Sequence, residues 1–92
     1  MKIKVRAFGD LMALLGNETV VELKTNAKLK DLVSKLAEKT EGSRKGFLGQ
    51  YDGVGADLVM LVNGRNIYAL NKLETSLRDG DIVALLPPAG GG

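Results

Sequence analysis

The sequence contains neither cysteine nor histidine among its 92 residues. Without cysteine there can be no disulfide bond, no thiolate metal site and no cysteine nucleophile. Without histidine the chain lacks the commonest general acid or base and the commonest metal ligand. These absences argue against an autonomous enzyme, and we predict neither a catalytic residue nor a metal site in this chain.

A charge excess of one sign and a long apolar run are also missing. Lys and Arg number 13 against 11 Asp and Glu, a net charge of +2, and the two signs are interspersed. The basic isoelectric point mostly reflects the lack of histidine, so the sequence does not support nucleic-acid binding. No apolar stretch resembles a signal peptide or is long enough to span a bilayer. We therefore expect a cytoplasmic protein without a membrane partner.

What the sequence does contain is the composition of one small globular domain. Apolar residues make up 45% and charged residues 26% of the chain, proportions that suit a folded protein and not a disordered one. There are no internal repeats. We predict a folded domain over residues 1–86 and a flexible tail over 87–92.

The N-terminal pattern predicts two strands. Residues 2–8 alternate between apolar and basic side chains, which is typical of a half-buried strand. Residues 18–23 predict a second strand, and 9–16 a short turn or helix between two glycines, so the strands should form an antiparallel hairpin. Phe8 breaks the alternation because it falls on the face that carries the basic residues.

The period then changes from that of a strand to that of a helix. Apolar residues recur at positions 29, 32, 33, 36 and 37, which predicts an amphipathic helix over about 27–40. Thr25 or Asn26 is the predicted N-cap. Residues 41–57 contain five glycines and no clear period, and we interpret them as a long loop.

Three more strands follow the loop. Residues 58–62 are apolar on both faces and predict a central strand, and Asn63-Gly64 predicts a tight turn. Residues 65–70 would return as a short edge strand, and 77–81 would turn into the last strand, 82–86. The predicted fold class is therefore α+β, a mixed sheet of about five strands with one main helix packed on one face. The first and last strands can pair in parallel at its centre.

A single helix leaves the other face of such a sheet open. Apolar residues on that face would form an exposed patch beside the basic residues Lys4 and Arg6, and exposed apolar patches usually mark a surface for a partner. The alternative is that the loop 41–57 covers them. The predicted docking residues are Phe8, Met60, Ile82, Ala84 and Leu86.

The last six residues of the chain are unusual. Pro87 and Pro88 cannot extend a central strand, so the sheet should end before them. The four residues that follow have no side chain larger than a methyl group, and the six together reach about 20 Å at roughly 3.3–3.6 Å per residue. Such a tail suits a narrow channel, because glycine tolerates close approach and unusual dihedral angles. The alternative is an inert terminus.

A family resemblance rests on the segment "TSLRDGDIVALLPPAGGG", residues 75–92. It resembles the C-terminal signature of the MoaD family, the small subunits of molybdopterin synthase. The matching features are Leu77, the D-G-D turn at 79–81, the apolar strand 82–86, the Pro-Pro pair and the terminal Gly91-Gly92. The segment "IKVRAFGDLMALLG", residues 3–16, also resembles the family's first strand and short helix.

The resemblance implies the ubiquitin-like β-grasp fold and the function of a sulfur carrier. A MoeB-type, E1-like activating enzyme would use ATP and magnesium to adenylate Gly92, and sulfur would then replace AMP to give a thiocarboxylate. A MoaE-like large subunit would accept the tail and deliver the sulfur to a pterin, whose dithiolene binds molybdenum or tungsten. The chain would be a monomer alone and part of a hetero-oligomer in function, with no cofactor bound. The tail residues expected in the partner's active site are Gly91, Gly90, Ala89, Pro88 and Pro87.

Two departures from the family pattern concern the partner more than the carrier chemistry. Met12 stands where the family often has an arginine, and Leu85 and Leu86 stand where it often has aromatic residues. Three other interpretations remain open. These are a ubiquitin-like modifier that Gly92 joins to lysines of other proteins, a carrier of the thiamine pathway (ThiS), and a plain interaction domain with an inert tail. The Pro-Pro pair favours the molybdopterin interpretation over ThiS.

Overall fold

The computed structural model describes residues 1–9, 12, 15–39 and 59–86. The bounds of the elements are β1 Lys2–Ala7, β2 Glu18–Glu22, α1 Leu29–Lys39, β3 Val59–Val62, β4 Arg65–Asn66, two short 3-10 segments at Ile67–Ala69 and Lys72–Glu74, and β5 Ile82–Leu86. The predicted loop 41–57 and the tail 87–92 lie outside the described residues.

The five strands form one mixed sheet in the order β2-β1-β5-β3-β4. The β1 and β5 strands pair in parallel, with Val5 opposite Val83, and the other neighbours are antiparallel. The prediction of an α+β fold with one helix and a parallel central pair is confirmed. Segment 58–62 was predicted as a central strand, and β3 is indeed an interior strand, next to β5.

The core lies between α1 and one face of the sheet. Both central strands contribute alternate residues to it, as the period of two in "KIKVRA" requires, and α1 contributes one apolar stripe. Burial of each such side chain stabilises the fold by about 1.5–3 kcal/mol. The largest fully buried side chains are Ile3, Leu29, Leu32, Leu36, Leu85, Val5 and Val83.

The start of α1 differs from the prediction. Neither Thr25 nor Asn26 caps the helix, and Asn26 instead has a positive φ of 72°. The carboxylate of Asp31 accepts a hydrogen bond from the main-chain N–H of Lys28 at 2.8 Å, while the Lys28 carbonyl accepts from the Asp31 N–H at 2.9 Å. Lys28 therefore occupies the capping position, and the acidic residue three places later satisfies its free amide group.

The D-G-D turn fixes the start of β5. Asp79 Oδ1 accepts a hydrogen bond from the Lys2 N–H at 2.7 Å, and Gly80 makes the turn with a φ of 90°. Asp81 accepts from the Asn63 side chain at 2.9 Å, and the same side chain accepts from the Ile82 N–H at 3.0 Å. These bonds join β1, β5 and the β3–β4 turn at one end of the sheet, so the chain leaves β5 at the opposite end.

The strand β4 is shorter than predicted. The Asn63-Gly64 turn is confirmed, with positive φ at both residues, 51° and 86°, as a two-residue hairpin requires. The strand ends after two residues because the Asn66 side chain accepts a hydrogen bond from the Tyr68 N–H at 2.9 Å. This bond turns residues 67–69 into a 3-10 segment where the sequence predicted an edge strand as far as residue 70.

Candidate functional site

The face of the sheet opposite α1 carries a group of apolar side chains that we call the apolar patch. The register places Leu61 opposite Ala84 and Val59 opposite Leu86, while Ala84 lies opposite Arg6 of β1. Cross-strand partners point to the same side of a sheet, so these residues share one surface. The patch consists of Phe8, Val59, Leu61, Ile82, Ala84 and Leu86.

Phe8 lies at the end of the patch where β1 ends. Its N–H donates a hydrogen bond to the Leu85 carbonyl at 3.1 Å, which continues the parallel pairing one step beyond β1. Its ring is 37% exposed, and the Arg6 guanidinium lies 5.9 Å from the ring centroid. That distance allows a cation–π contact. The prediction that Phe8 faces solvent is confirmed.

Among the predicted docking residues, three lie on β5. Ile82 is 40% exposed, and Ala84 and Leu86 are half-buried, whereas Val83 and Leu85 between them are buried against the helix. These three side chains therefore lie on the open face, as predicted. Their role in docking stays a prediction.

The prediction that Met60 lies on the open face of the sheet is wrong. Its side chain is 4% exposed and lies in the core, because Met60 is opposite the buried Leu85 in the β3–β5 register. The neighbours Val59 and Leu61 are half-buried on the open face instead. The run "LVMLV" shows no alternation from which its faces could be assigned. The signal that was missed is the antiparallel pairing with β5, which places Val59 and Leu61 beside Leu86 and Ala84.

A basic rim borders the patch on β1. Lys4 Nζ lies 3.7 Å from Glu18 Oε2, and Arg6 Nε lies 3.8 Å from Glu18 Oε1. All three side chains are about half exposed, so these ion pairs contribute little to stability. Two cations share one carboxylate, which leaves net positive charge at the border of the apolar surface.

The short segment between β1 and β2 contains two described helical residues, Met12 and Leu15. The Met12 N–H donates to the Gly9 carbonyl at 3.1 Å, and the Gly16 N–H donates to the Met12 carbonyl at 2.8 Å. The side chain of Met12 is exposed. The chain therefore presents an apolar side chain in the segment where the MoaD pattern often has arginine.

The predicted tail residues lie outside the described residues, from Pro87 to Gly92. Leu86, the last described residue, lies on the apolar patch, and Phe8 lies beside the end of its strand. The tail therefore begins at the border of the patch. A partner that covers the patch would lie next to the start of the tail.

The described part of the chain offers no other obvious chemistry. It contains no group of three or more acidic side chains that could hold a metal ion. No helix in the described ranges is long and apolar enough to cross a membrane. The main feature of this part is the open apolar face.

This fold and this face define a ubiquitin-like β-grasp protein. A profile of the ThiS family matches residues 5–92. The chain belongs to the ThiS family, whose members are ubiquitin-like sulfur carriers.

Three relatives show the range of functions within this similarity. Small archaeal modifier protein 3 of Haloferax volcanii is 28% identical over 93 residues, covering all of both chains. A Pyrococcus furiosus protein assigned as molybdopterin converting factor subunit 1 is 26% identical, with 97% of this chain and 99% of that one covered and a TM-score of 0.74. The complex of subunits 1 and 2 of the molybdopterin-converting factor from Helicobacter pylori contains a chain that is 26% identical, covered fully on both sides, with a TM-score of 0.61.

Proposed function

We propose that this protein is the sulfur-carrying small subunit of a molybdopterin synthase and that Gly92 carries the sulfur. The observation that supports this most directly is the position of Leu86, which belongs to the apolar patch and immediately precedes Pro87-Pro88. The docking surface and the start of the tail are thus adjacent in both sequence and space. A partner bound to the patch would receive the terminal carboxylate within the reach of the tail.

The chemistry requires activation because a carboxylate is a poor acyl electrophile. The Gly92 carboxylate attacks the α-phosphorus of ATP and displaces pyrophosphate, with magnesium held by a MoeB-type activating enzyme. A sulfide nucleophile (HS⁻) then attacks the acyl carbon and displaces AMP, which leaves a thiocarboxylate. The carrier supplies only the acyl group, which agrees with a sequence that has no histidine and no cysteine.

The expected partners would use the same surface in turn. An activating enzyme and a MoaE-like large subunit must each bind the carrier and then release it, so we assign the apolar patch to both. A patch with an apolar centre and a basic rim suits partners with an apolar surface bordered by acidic residues. The Helicobacter pylori relative, described as a complex of two subunits, supports a hetero-oligomeric function.

A second candidate function is protein modification through an isopeptide bond from Gly92 to lysine. The observation that favours it is the full-length similarity to the small archaeal modifier protein of Haloferax volcanii. Adenylation is common to both functions, and they differ in the nucleophile that attacks the acyl adenylate. In one case it is a sulfur donor, and in the other it is an amine of another protein.

Intact-mass measurement distinguishes the two functions. The full chain is incubated with ATP, magnesium, its activating enzyme and a sulfur donor. The carrier function requires a mass gain of one sulfur minus one oxygen, and a chain that ends at Gly91 should not show it. The thiocarboxylate form should then convert a pterin precursor when the large subunit is added.

The opposite result is equally informative. If the mass does not change and Gly-Gly remnants appear on lysines of other proteins, the modifier function is correct. Leu86→Ala serves as a second control, because it keeps Gly92 but removes part of the docking surface. We expect it to slow the adenylation of the tail, which would separate a docking defect from a tail that is one residue too short.

A further inference from the structure

Within the described residues, the sheet has one long unpaired edge, on β2. The opposite edge is β4, which has two residues and then turns into a 3-10 segment. The β2 strand has five residues, Glu18–Glu22, and no segment within the described ranges pairs with its outer side. An unpaired edge presents free main-chain N–H and C=O groups to which another strand can bind.

The hydrogen bonds of the hairpin show which residues present those groups. The Met1 amino group donates to the Leu23 carbonyl at 2.7 Å, and the Leu23 N–H donates back to the Met1 carbonyl at 2.8 Å. Bonded and non-bonded pairs alternate along an antiparallel ladder. Thr19 and Val21 therefore bond to β1. The residues whose N–H and C=O groups point away from the sheet are Glu18, Val20 and Glu22, which we call the β2 edge.

A groove lies at the C-terminal end of this strand on the helix side, and Glu22 is its one lining residue from β2. It has a volume of about 640 Å³, and Leu23 and Ala27 form part of its wall. Asp31, Ser34 and Lys35 of α1 line the other side. A strand added to the β2 edge would alternate its side chains between this groove and the open face of the sheet. The groove thus leaves room for an inward-facing side chain of the added strand near Glu22.

The charges along the edge disfavour a second copy of this chain. Val20 is 54% exposed, and Glu18 and Glu22 flank it on the same face. Antiparallel pairing of two copies centred on Val20 would place Glu18 opposite Glu22 twice, and like charges directly opposite each other are destabilising. A shift of this register by two residues would instead place Val20 opposite a glutamate.

We propose that the β2 edge binds an extended segment of another protein by strand addition. The segment that fits carries an apolar side chain opposite Val20, with Lys or Arg two residues before and two residues after it. One basic side chain then lies opposite Glu22 and the other opposite Glu18. Because the Glu18 carboxylate already pairs with Lys4 and Arg6, the specificity comes mainly from Glu22. This inference goes beyond the carrier function, because it uses neither Gly92 nor the apolar patch.

The test uses the full chain and a capped peptide of sequence Thr-Lys-Thr-Val-Thr-Lys-Thr, with amide hydrogen exchange measured by NMR. Strand addition should slow exchange of the outward-facing amides of the β2 edge by about tenfold or more at saturation, because they gain hydrogen-bond partners. The amides of Thr19 and Val21 should change little, since they already bond to β1. Protection centred on Phe8 or Ile82 would overturn the proposal.

Charge variants test the proposed specificity. Glu22→Gln should weaken binding of the lysine peptide about two- to fivefold, the range expected for one cross-strand charge pair. Glu74→Gln removes an equal charge outside the β2 edge and should leave binding unchanged. A peptide with Glu in place of Lys should bind more weakly than the lysine peptide to the native chain, and Glu22→Lys should narrow that difference.

Two results would contradict the proposal. The first is equal binding of the lysine and glutamate peptides, and the second is a dimer of the chain itself that protects the β2 edge without peptide. A chain that ends at Gly91 should bind the peptide as the full chain does. Failure of strand addition and failure of the carrier function can therefore be told apart.

Discussion

Two adjacent residues of β5 face opposite sides of the sheet. Leu85 is fully buried against the helix, whereas Leu86 lies on the apolar patch. The same truncation at the two positions should therefore separate stability from docking. This contrast comes from the period of two in a strand and does not require any difference between the side chains themselves.

We expect Leu85→Ala to lower the free energy of unfolding by about 2–5 kcal/mol, because it removes core contacts and leaves a cavity. Leu86→Ala should lower it by about 1 kcal/mol at most, because part of that side chain is already in water. Urea denaturation measures both. If the apolar patch is the docking surface, Leu86→Ala should weaken binding to the activating enzyme more than Leu85→Ala does. Normal binding by Leu86→Ala would contradict this assignment.

A surface cluster at the start of α1 makes stability depend on pH. Glu74 contacts Lys28 and Lys30, each at 3.0 Å. The hydrogen bond from Lys28, and then that from Lys30, hold the pKa of Glu74 below its usual value of 4.5. The hydrogen bond that Lys30 donates to Glu74 likewise raises the pKa of Lys30 above 10.5. A carboxylate with a lowered pKa stabilises the fold above its unfolded pKa, and the effect is lost as the pH falls through the folded value.

Glu74→Gln should therefore be less stable than the native chain at neutral pH, and the difference should be lost at an acid pH below the lowered pKa of Glu74, where its carboxyl is protonated. Thermal unfolding at both pH values measures this. Since all three side chains are exposed, the effect should be small and should shrink further at high salt. A difference that persists unchanged at low pH would mean that packing is responsible and that the ion pairs are not.

At the scale of elements, the turns hold the strands in register. Gly80 sits between the two carboxylates of the D-G-D turn with a φ of 90°, and its N–H donates to the Lys2 carbonyl at 2.8 Å. A Cβ atom at this position would meet no heavy atom within 4 Å. Any cost of a larger residue there is therefore due to the dihedral angle and not to a clash.

Gly80→Ala should lower the free energy of unfolding by about 1–2 kcal/mol, the cost of a left-handed conformation for an L-residue. Gly80→Asn should cost less, because asparagine tolerates this region better. Chemical denaturation of the two variants provides the comparison. Equal losses for alanine and asparagine would show that something other than the dihedral angle is disturbed.

Elements with a clear period or a specific turn signal could be predicted from the sequence. The alternation of β1, the helical stripe of α1 and the Asn63-Gly64 turn each fix a local structure. The face of Met60 could not be predicted, since its strand is apolar on both faces and only pairing with β5 decides the side. The helix cap was missed for a similar reason, because several polar residues precede α1 and only hydrogen bonding selects Lys28.

At the scale of the whole molecule, the described core and the predicted tail are separate parts of the sequence. The buried apolar residues of the described ranges lie between Ile3 and Leu85. The tail begins at Pro87, two residues beyond the last of them. The candidate site is divided in the same way. The folded domain forms its docking surface, and the tail carries its acyl group.

Removal of residues 87–92 should therefore change the free energy of unfolding by less than about 0.5 kcal/mol, as for substitutions outside the core. It should abolish the mass gain completely. Calorimetry and mass spectrometry on the same sample test both expectations. A clear loss of stability would contradict the division of the chain at residue 86.

The parallel pairing of β1 and β5 also has a consequence for biosynthesis. A ribosome makes β1 first and β5 last among the described strands, yet the two lie side by side at the centre of the sheet. Translation proceeds at about 5–20 residues per second, so β1 waits several seconds for its neighbour. Until then neither β1 nor β3 has its partner in β5. A chain interrupted before β5 should therefore remain exposed to proteases, and protection should begin only once the strand next to the tail has been made.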